Sequence, residues 1–558
     1  MKPFRLSKFM TGQPGLERQF PKKATPNDGT YAVDVETKPV CLRCQKTNIQ
    51  CEGYSNTGRQ KDSWYQDSGN AMSRPPSKSA ALHPAIYSGP TLLSEQDGRY
   101  FRYYCETSVV EIARLFNRPF WDRQIPQISE NEAFVSQALV ALGAISKAQT
   151  VNSAKAYQHR QYALRSYAKA LSWMRQSLNG SSYSPRKALV ACLLVYTIEA
   201  MLGHFATAAT HASCGEKLLY RNFFNPENKS YSPFRCQQDA SIDDDLCRAF
   251  SDLSLQVIGV IDTQALDLHR ERIDDLTHAL RFMPSKFSNL QEAYDWWQLI
   301  LRRNVHWISL ARRTMLGKHQ ESGIGVTVDN EELDLKNVNC SWLDAAVIPA
   351  SSPELRQECA TFCDDIMRWE SVASPLLVQG MEAPTESREF FASCLLKLQS
   401  LGMLVQIRSV FAIDEIEWDQ FYPQFEMIMH YASKIRTQLF QGQGKYHLDF
   451  GVVLFVAIVG FHCRKRALRD QAIDMLSTNH GYREGMWDAV GASMVARFGR
   501  DMEEEWADKD GWVPAERRFT ITGAKAVLGE DRSMYVCGYQ KNGTMDGKGI
   551  FKEMFYRW

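Results

Sequence analysis

The sequence predicts an all-α fold, a large antiparallel array of helix hairpins, on three observations. Apolar residues recur at spacings of three and four, as in Leu164, Tyr167, Leu171, Met174 and Leu178, which places them on one helical stripe. Helix-start signals recur along the chain, with Ser94 and Asp97 in a capping-box pattern and Ser184 immediately before Pro185. Strand-like segments are confined to the C-terminal end, at Arg518–Thr522 and Met534–Cys537.

Taken in order, the first helix is expected from Ser94, with the run Tyr100–Phe116 carrying apolar residues around a polar face. A second is expected from Ser129, with Glu132 three residues on. The stripe Leu164 to Leu178 marks the next, and its partner is expected in the helix that follows it. That helix opens at Ser184 and Pro185, is apolar nearly all round to Leu202 as a central helix should be, and ends at Gly203. Helical spacing resumes through Phe205, Ala208, Ala212, Leu218 and Leu219, so hairpins follow one another without a strict repeat of fixed length. Further helices are expected at Asp243–Ile261, Leu290–Met315, Pro353–Trp369, Glu389–Ile407, Trp418–Leu439, Phe450–Leu476 and Arg483–Met502.

Composition narrows the function classes. The 558 residues are 44% hydrophobic and 11% aromatic, so the body is globular, and a formal charge of +1 leaves polyanion binding to a local patch. The N-terminus Met1-Lys2-Pro3-Phe4-Arg5 starts no apolar run of the kind a secretory signal needs, which predicts a chain that stays inside the cell. Phe450–Cys463 is an apolar stretch of 14 residues, short of the ~20 a membrane span requires, and reads as a buried helix. Fourteen cysteines are too few for a disulfide scaffold, and Cys192, Cys394 and Cys463 read as reduced core residues. No phosphate-cradling G-x4-G-K-[ST] or zinc-protease H-E-x-x-H sequence occurs, so no enzyme is predicted. His462 and Cys463 point ~100° apart on a helix and read as core, Arg464-Lys465-Arg466 as an exposed helix face or end, and Asp501–Trp506 as a solvated helix end.

The exception among the cysteines is Cys41-Leu42-Arg43-Cys44 followed by Cys51, a C-x2-C-x6-C spacing whose thiolates can converge on one soft divalent ion. Three ligands leave a tetrahedral site one short. Preceded by Lys38-Pro39 and ending Cys51-Glu52-Gly53-Tyr54, the segment resembles the second half of the fungal zinc binuclear cluster, the six-cysteine family of transcription regulators. Tyr100–Tyr104, Pro119-Phe120-Trp121, Val140–Ala144, Ala188–Leu194 and Gly203–Ala208 resemble the fungal-specific transcription factor domain that follows such clusters.

The resemblance implies a nuclear, sequence-specific RNA polymerase II regulator in which six cysteines hold two zinc ions. Cys41, Cys44 and Cys51 would be thiolate ligands, Lys38, Arg43 and Lys46 would lie against DNA phosphates, and the helical body would regulate through partners or a small effector. It divides the chain into an arm (1–37), the half-cluster (38–54), a linker (55–93), the helical domain (94–513) and a C-terminal tail packed on or extending from it (514–558). The departure is that no cysteine lies between Met1 and Val40, where the base-reading first half belongs. A wrong exon boundary, true loss of that half, or ligand sharing between two chains would each produce this pattern. With it stands a second reading, a helical adaptor or ligand-sensing protein that no longer binds DNA. No heptad repeat runs through 55–93 to suggest a coiled-coil dimer.

Overall fold

Local side-chain chemistry sets several helix ends, and packing then moves others away from where sequence periodicity puts them. The computed structural model describes residues 94–558, except 114, 117, 152, 180–182, 224–243, 261, 263, 316–351, 413, 441–444, 479–480, 510, 528–531 and 541–548. Ser94 caps helix α1, Glu95–Tyr103: its hydroxyl accepts from the Asp97 N–H at 3.1 Å, and its own N–H donates to the Asp97 carboxylate at 3.2 Å. The chain widens into a π-turn at Tyr104–Ser108 and ends in a short α2, Val109–Ile112, so the expected run to Phe116 stops at the extended Ala113.

Ser129 does not start a helix. It lies inside α3, Ile125–Asn131, buried, with its hydroxyl donating to the Pro126 carbonyl at 2.6 Å, and the break falls at the extended Glu132. Helix α4, Ala133–Gln149, is buried nearly all round, and α5, Ser153–Asn179, packs along it rather than along the helix that follows. The buried side of α5 is Ala163, Tyr167, Ala170 and Met174, while Leu164 is exposed; the small alanines, not the leucines, let the two helices approach. Gly143 permits the closest contact in this layer, since a Cβ there would overlap the Tyr100 carbonyl oxygen of α1. Gly143→Ala is expected to destabilise the protein by about 2 kcal/mol, seen as a lower urea midpoint with unchanged slope.

Helix α6, Pro185–Leu202, is central as expected and ends at Gly203 in the left-handed conformation, φ 88°. Helix α7, Phe205–Phe223, folds back along it, and α8, Asp244–Val260, follows. Helix α9, Leu266–Leu280, was not legible beforehand, because charged residues interrupt its buried stripe of Ile273, Leu276, Ala279 and Leu280. Helix α10, Leu290–Met315, matches its expected bounds.

Helix α11 runs from Pro353, after its cap Ser352, to Met381, continuing through Pro375 past the expected stop at Trp369. Helix α12, Arg388–Arg408, is capped by Ser387, whose hydroxyl accepts from the Phe390 N–H at 3.1 Å. With its 3₁₀ extension to Phe411 it spans 24 residues, long and apolar enough by length and composition to cross a membrane, and 89% of that apolar window is buried inside the protein. Helix α13, Tyr422–Phe440, follows a 3₁₀ segment at Glu415–Phe421.

The expected Phe450–Leu476 helix is two, α14 (Val453–His462) and α15 (Arg466–Ser477), broken where Arg464 turns inward. The expected start at Arg483 is instead strand β2 (Arg483–Glu484), which pairs parallel with β1 (Tyr446–His447) and antiparallel with β3 (Trp487–Asp488). Helix α16, Ala489–Glu503, then starts at the cap Asp488, whose carboxylate accepts from the Gly491 N–H at 2.8 Å. The C-terminal strands form an antiparallel meander of β4 (Phe519–Val527), β5 (Ser533–Gln540) and β6 (Ile550–Arg557). Phe519, Ile521, Ala524, Met534 and Val536 join it to the core beside α16.

The fold is thus all-α with two three-stranded sheets among the described residues. Two apolar cores run through it. The first gathers Tyr104, Trp121, Phe134, Leu142 and Tyr196; the second gathers Trp297, Trp307, Trp369, Phe391 and Phe455. Helix α8 is the wall between them, with Leu253 and Val257 in the first and Leu255 and Ile258 in the second.

Candidate functional site

The residues singled out by sequence, Cys41, Cys44 and Cys51 with Lys38, Arg43 and Lys46, lie outside the described residues. Among the described residues no group of three His, Cys, Asp or Glu side chains is placed to hold a metal ion. Among the described residues the helical body buries polar side chains in several places, and two of these clusters bring histidine and arginine together from separate helices.

The first joins α14, α15 and α16 to the C-terminal sheet. Arg464 is wholly buried rather than exposed; it donates to Glu415 at 2.9 Å, to Glu503 at 2.6 Å and to the Phe519 carbonyl at 3.1 Å. Arg469 reaches the other Glu503 oxygen at 2.5 Å, and the Phe519 N–H donates to Glu503 at 2.6 Å. His462 stacks on Trp418 with ring centroids 3.5 Å apart and places Nδ1 3.0 Å from Glu415. Cys463 beside it is buried, and burial pushes its thiol up to about 11, the behaviour of a core residue. Two carboxylates face two guanidiniums and the His462 ring, so this cluster is a buried ion-paired clamp. It also corrects the basic triplet, of which Lys465 and Arg466 alone are solvated and pair with Glu426 and Glu504. In Asp501–Trp506 the inward residue is Glu503, while Asp501, Glu504 and Glu505 are exposed.

The second cluster lies between α7, α9 and α10. Arg302 and His306 stand one turn apart on α10, and His269 and Arg272 one turn apart on α9, all four buried. The two histidines meet Nδ1 to Nδ1 at 2.9 Å, so one ring donates and the other accepts. Asp262 lies 3.0 Å from His269 Nε2 and accepts from the Ser309 hydroxyl. Burial, with the positive charges of His269, Arg302 and Arg272, holds His306 well below the usual histidine range, so its ring is neutral. For Asp262 burial acts upward, but hydrogen bonding and charge from His269 hold the carboxyl below its ordinary value.

Arg302 donates to the Ser251 hydroxyl at 3.1 Å and the Tyr220 hydroxyl at 3.3 Å, and the Arg272 guanidinium sits 2.9 Å over the Tyr220 ring centroid. Sequence reading missed this cluster. Its one available signal was that α10 carries Arg302, Arg303, Asn304, His306 and Ser309 in a segment whose polar residues form no single face, so several had to be inside.

No family model matches the chain, and no solved structure matches it. Over 199 residues the chain is 25% identical to a curated fungal protein, the aspercryptin biosynthesis cluster-specific transcription regulator atnN of Emericella nidulans, with 33% of this chain and 32% of that protein covered. The chain therefore aligns with about a third of the curated relative it matches, and what it is similar to over that third is a transcription regulator.

Proposed function

We propose that this chain is a transcription regulator of the fungal zinc-cluster type, acting in the nucleus on RNA polymerase II genes. The observation that carries the reading is the 199-residue similarity to a cluster-specific transcription regulator. The C-x2-C-x6-C segment at Cys41, Cys44 and Cys51 supports it, since thiolates at that spacing are suited to zinc. In this reading the cysteines hold zinc, Lys38, Arg43 and Lys46 lie along DNA phosphates, and the all-α body is the regulatory part that meets partners or a small effector. With a charge of only +1 over the whole chain, a local basic patch such as that short segment is where DNA contact would lie.

One observation favours a second reading: three cysteines are one ligand short of a closed tetrahedral site. On that basis the chain would be a helical adaptor that competes for the partners of DNA-binding relatives. Zinc content of the purified protein, measured by native mass spectrometry beside a Cys41→Ser, Cys44→Ser variant, separates the two. The regulator reading expects near-stoichiometric zinc that the variant loses, and retention on DNA that weakens steeply with added salt. Zinc-free protein that ignores DNA would overturn it in favour of the adaptor.

A further inference from the structure

We propose that Arg272, Arg302 and Tyr220 form a binding site for a small anionic oxygen group, a carboxylate or a phosphate. The site stands on the second buried cluster alone and is independent of whether the chain binds DNA.

Two buried guanidiniums flank one tyrosine ring. Arg302, 6% exposed, touches the hydroxyl end through one terminal nitrogen, and Arg272, 5% exposed, covers the ring face. Neither is spent. The Nε donor of each has no hydrogen-bond partner, and neither does His306 Nε2 one turn along α10. Among the described residues Arg302 forms no ion pair; its direct partners are two hydroxyls. A buried guanidinium whose hydrogen-bond partners are hydroxyls has no counter-charge among them, and that arrangement favours an incoming anion over water.

The neighbouring acids do not fill the role. Asp252 beside Arg302 is pushed well above the usual carboxylate range by burial and the nearby Asp449 charge, and Tyr294 already donates to it. Glu271 and Asp275 meet Arg272 at 3.2 Å and 3.8 Å from its solvent side, with side chains 62% and 37% exposed. Glu216 lies at the Gln264 end; one of its oxygens accepts from Gln264 at 3.1 Å and the other has no partner. Asp262 is taken up by His269 and Ser309.

The donors and the spare Glu216 oxygen together describe the ligand. A guanidinium at the hydroxyl end of Tyr220 and a second over its ring face suit an oxygen group with several lone pairs, which a carboxylate and a phosphate share. The free Glu216 oxygen favours a ligand that also carries a hydroxyl or an ammonium donor. Such a molecule is a hydroxy or amino acid, or a phosphate monoester.

The test uses the full chain titrated calorimetrically with inorganic phosphate and, separately, with glycolate, at ionic strength held constant with sodium chloride. At least one anion is expected to bind saturably. Arg302→Met is expected to remain folded and to bind about tenfold to a hundredfold more weakly, the range that loss of a charge-assisted hydrogen bond produces. Should that variant fail to fold, Arg272→Gln serves for the same comparison. Response to phosphate alone assigns a phosphate ligand, and response to glycolate alone a carboxylate. Absence of saturable binding by both anions to the wild-type chain overturns the site and leaves the cluster filled with water. Equal binding by wild type and both variants overturns the assignment to these residues.

Discussion

Glu503→Ala is expected to lower the stability of the helical body by about 4 kcal/mol, the effect of stripping one partner from a buried ion cluster. Glu503 is 1% exposed and holds three donors at once, from Arg464, Arg469 and the Phe519 backbone. Its removal leaves two guanidiniums buried without that carboxylate and frees the first residue of β4. Glu503→Gln should fall between wild type and alanine, because the amide still accepts one hydrogen bond. A urea midpoint unchanged in Glu503→Ala would show that water reaches the cluster and that the clamp is not buried.

The same cluster sets a pH dependence. Burial acts to raise the Glu415 carboxyl, but the charges of His462 and Arg464 win and hold it at about 2, from an ordinary 4.5. A carboxyl depressed on folding stabilises the native state fully above its unfolded value, and that stability drains as pH falls from about 4.5 toward about 2. Urea midpoints taken across this window should drop steeply for the wild type and more shallowly for Glu415→Gln.

Trp369→Ala is expected to destabilise by a similar amount, about 4 kcal/mol, through a different cause. Its indole is fully buried, lies 4.8 Å from the Trp297 ring, and donates to the Ala293 carbonyl at 2.8 Å. Trp297 in turn donates to Gln399 at 2.9 Å, and Gln399 to the Phe450 carbonyl at 2.5 Å, so one tilted aromatic pair ties α10, α11 and α12 to the segment leading into α14. Alanine leaves a cavity and an unpaired carbonyl. Trp369→Phe should lose less, since it fills much of the space and forfeits mainly the hydrogen bond. Equal losses for the two variants, in denaturant titrations, would point to the hydrogen bond rather than the cavity.

Helices whose ends are set by neighbours in sequence were legible in advance. The Ser94 and Asp97 capping box and Pro185 with Gly203 follow from residues within a turn of the boundary, and the bounds of α10 match the extent of its helical pattern. Ends set by distant partners were not. Nothing local to Arg464 shows that Glu415 and Glu503 will draw it inward and split α14 from α15. On α5 the expected stripe holds at Tyr167 and Met174 and half-holds at Leu171 and Leu178, while Leu164 faces out and Ala163 and Ala170, which periodicity did not single out, are buried.

The zinc motif was read from spacing and context, which need no tertiary structure. The Arg272, Arg302 and Tyr220 cluster had the opposite character, drawing on three separate helices that only the fold brings together.

The apolar helix α12 has a consequence for how the protein is made. In the finished molecule α13 and α14 help to cover it, and both lie downstream in the chain. A ribosome adding ~5–20 residues per second needs roughly 3–10 s to supply the roughly 50 residues from Phe411 to His462. Through that interval the nascent chain carries a segment long and apolar enough to cross a bilayer, covered by the upstream α10 and α11 but not yet by α13 and α14. Yield of intact protein should therefore depend on what shields the emerging chain, and slower synthesis lengthens the exposure instead of relieving it.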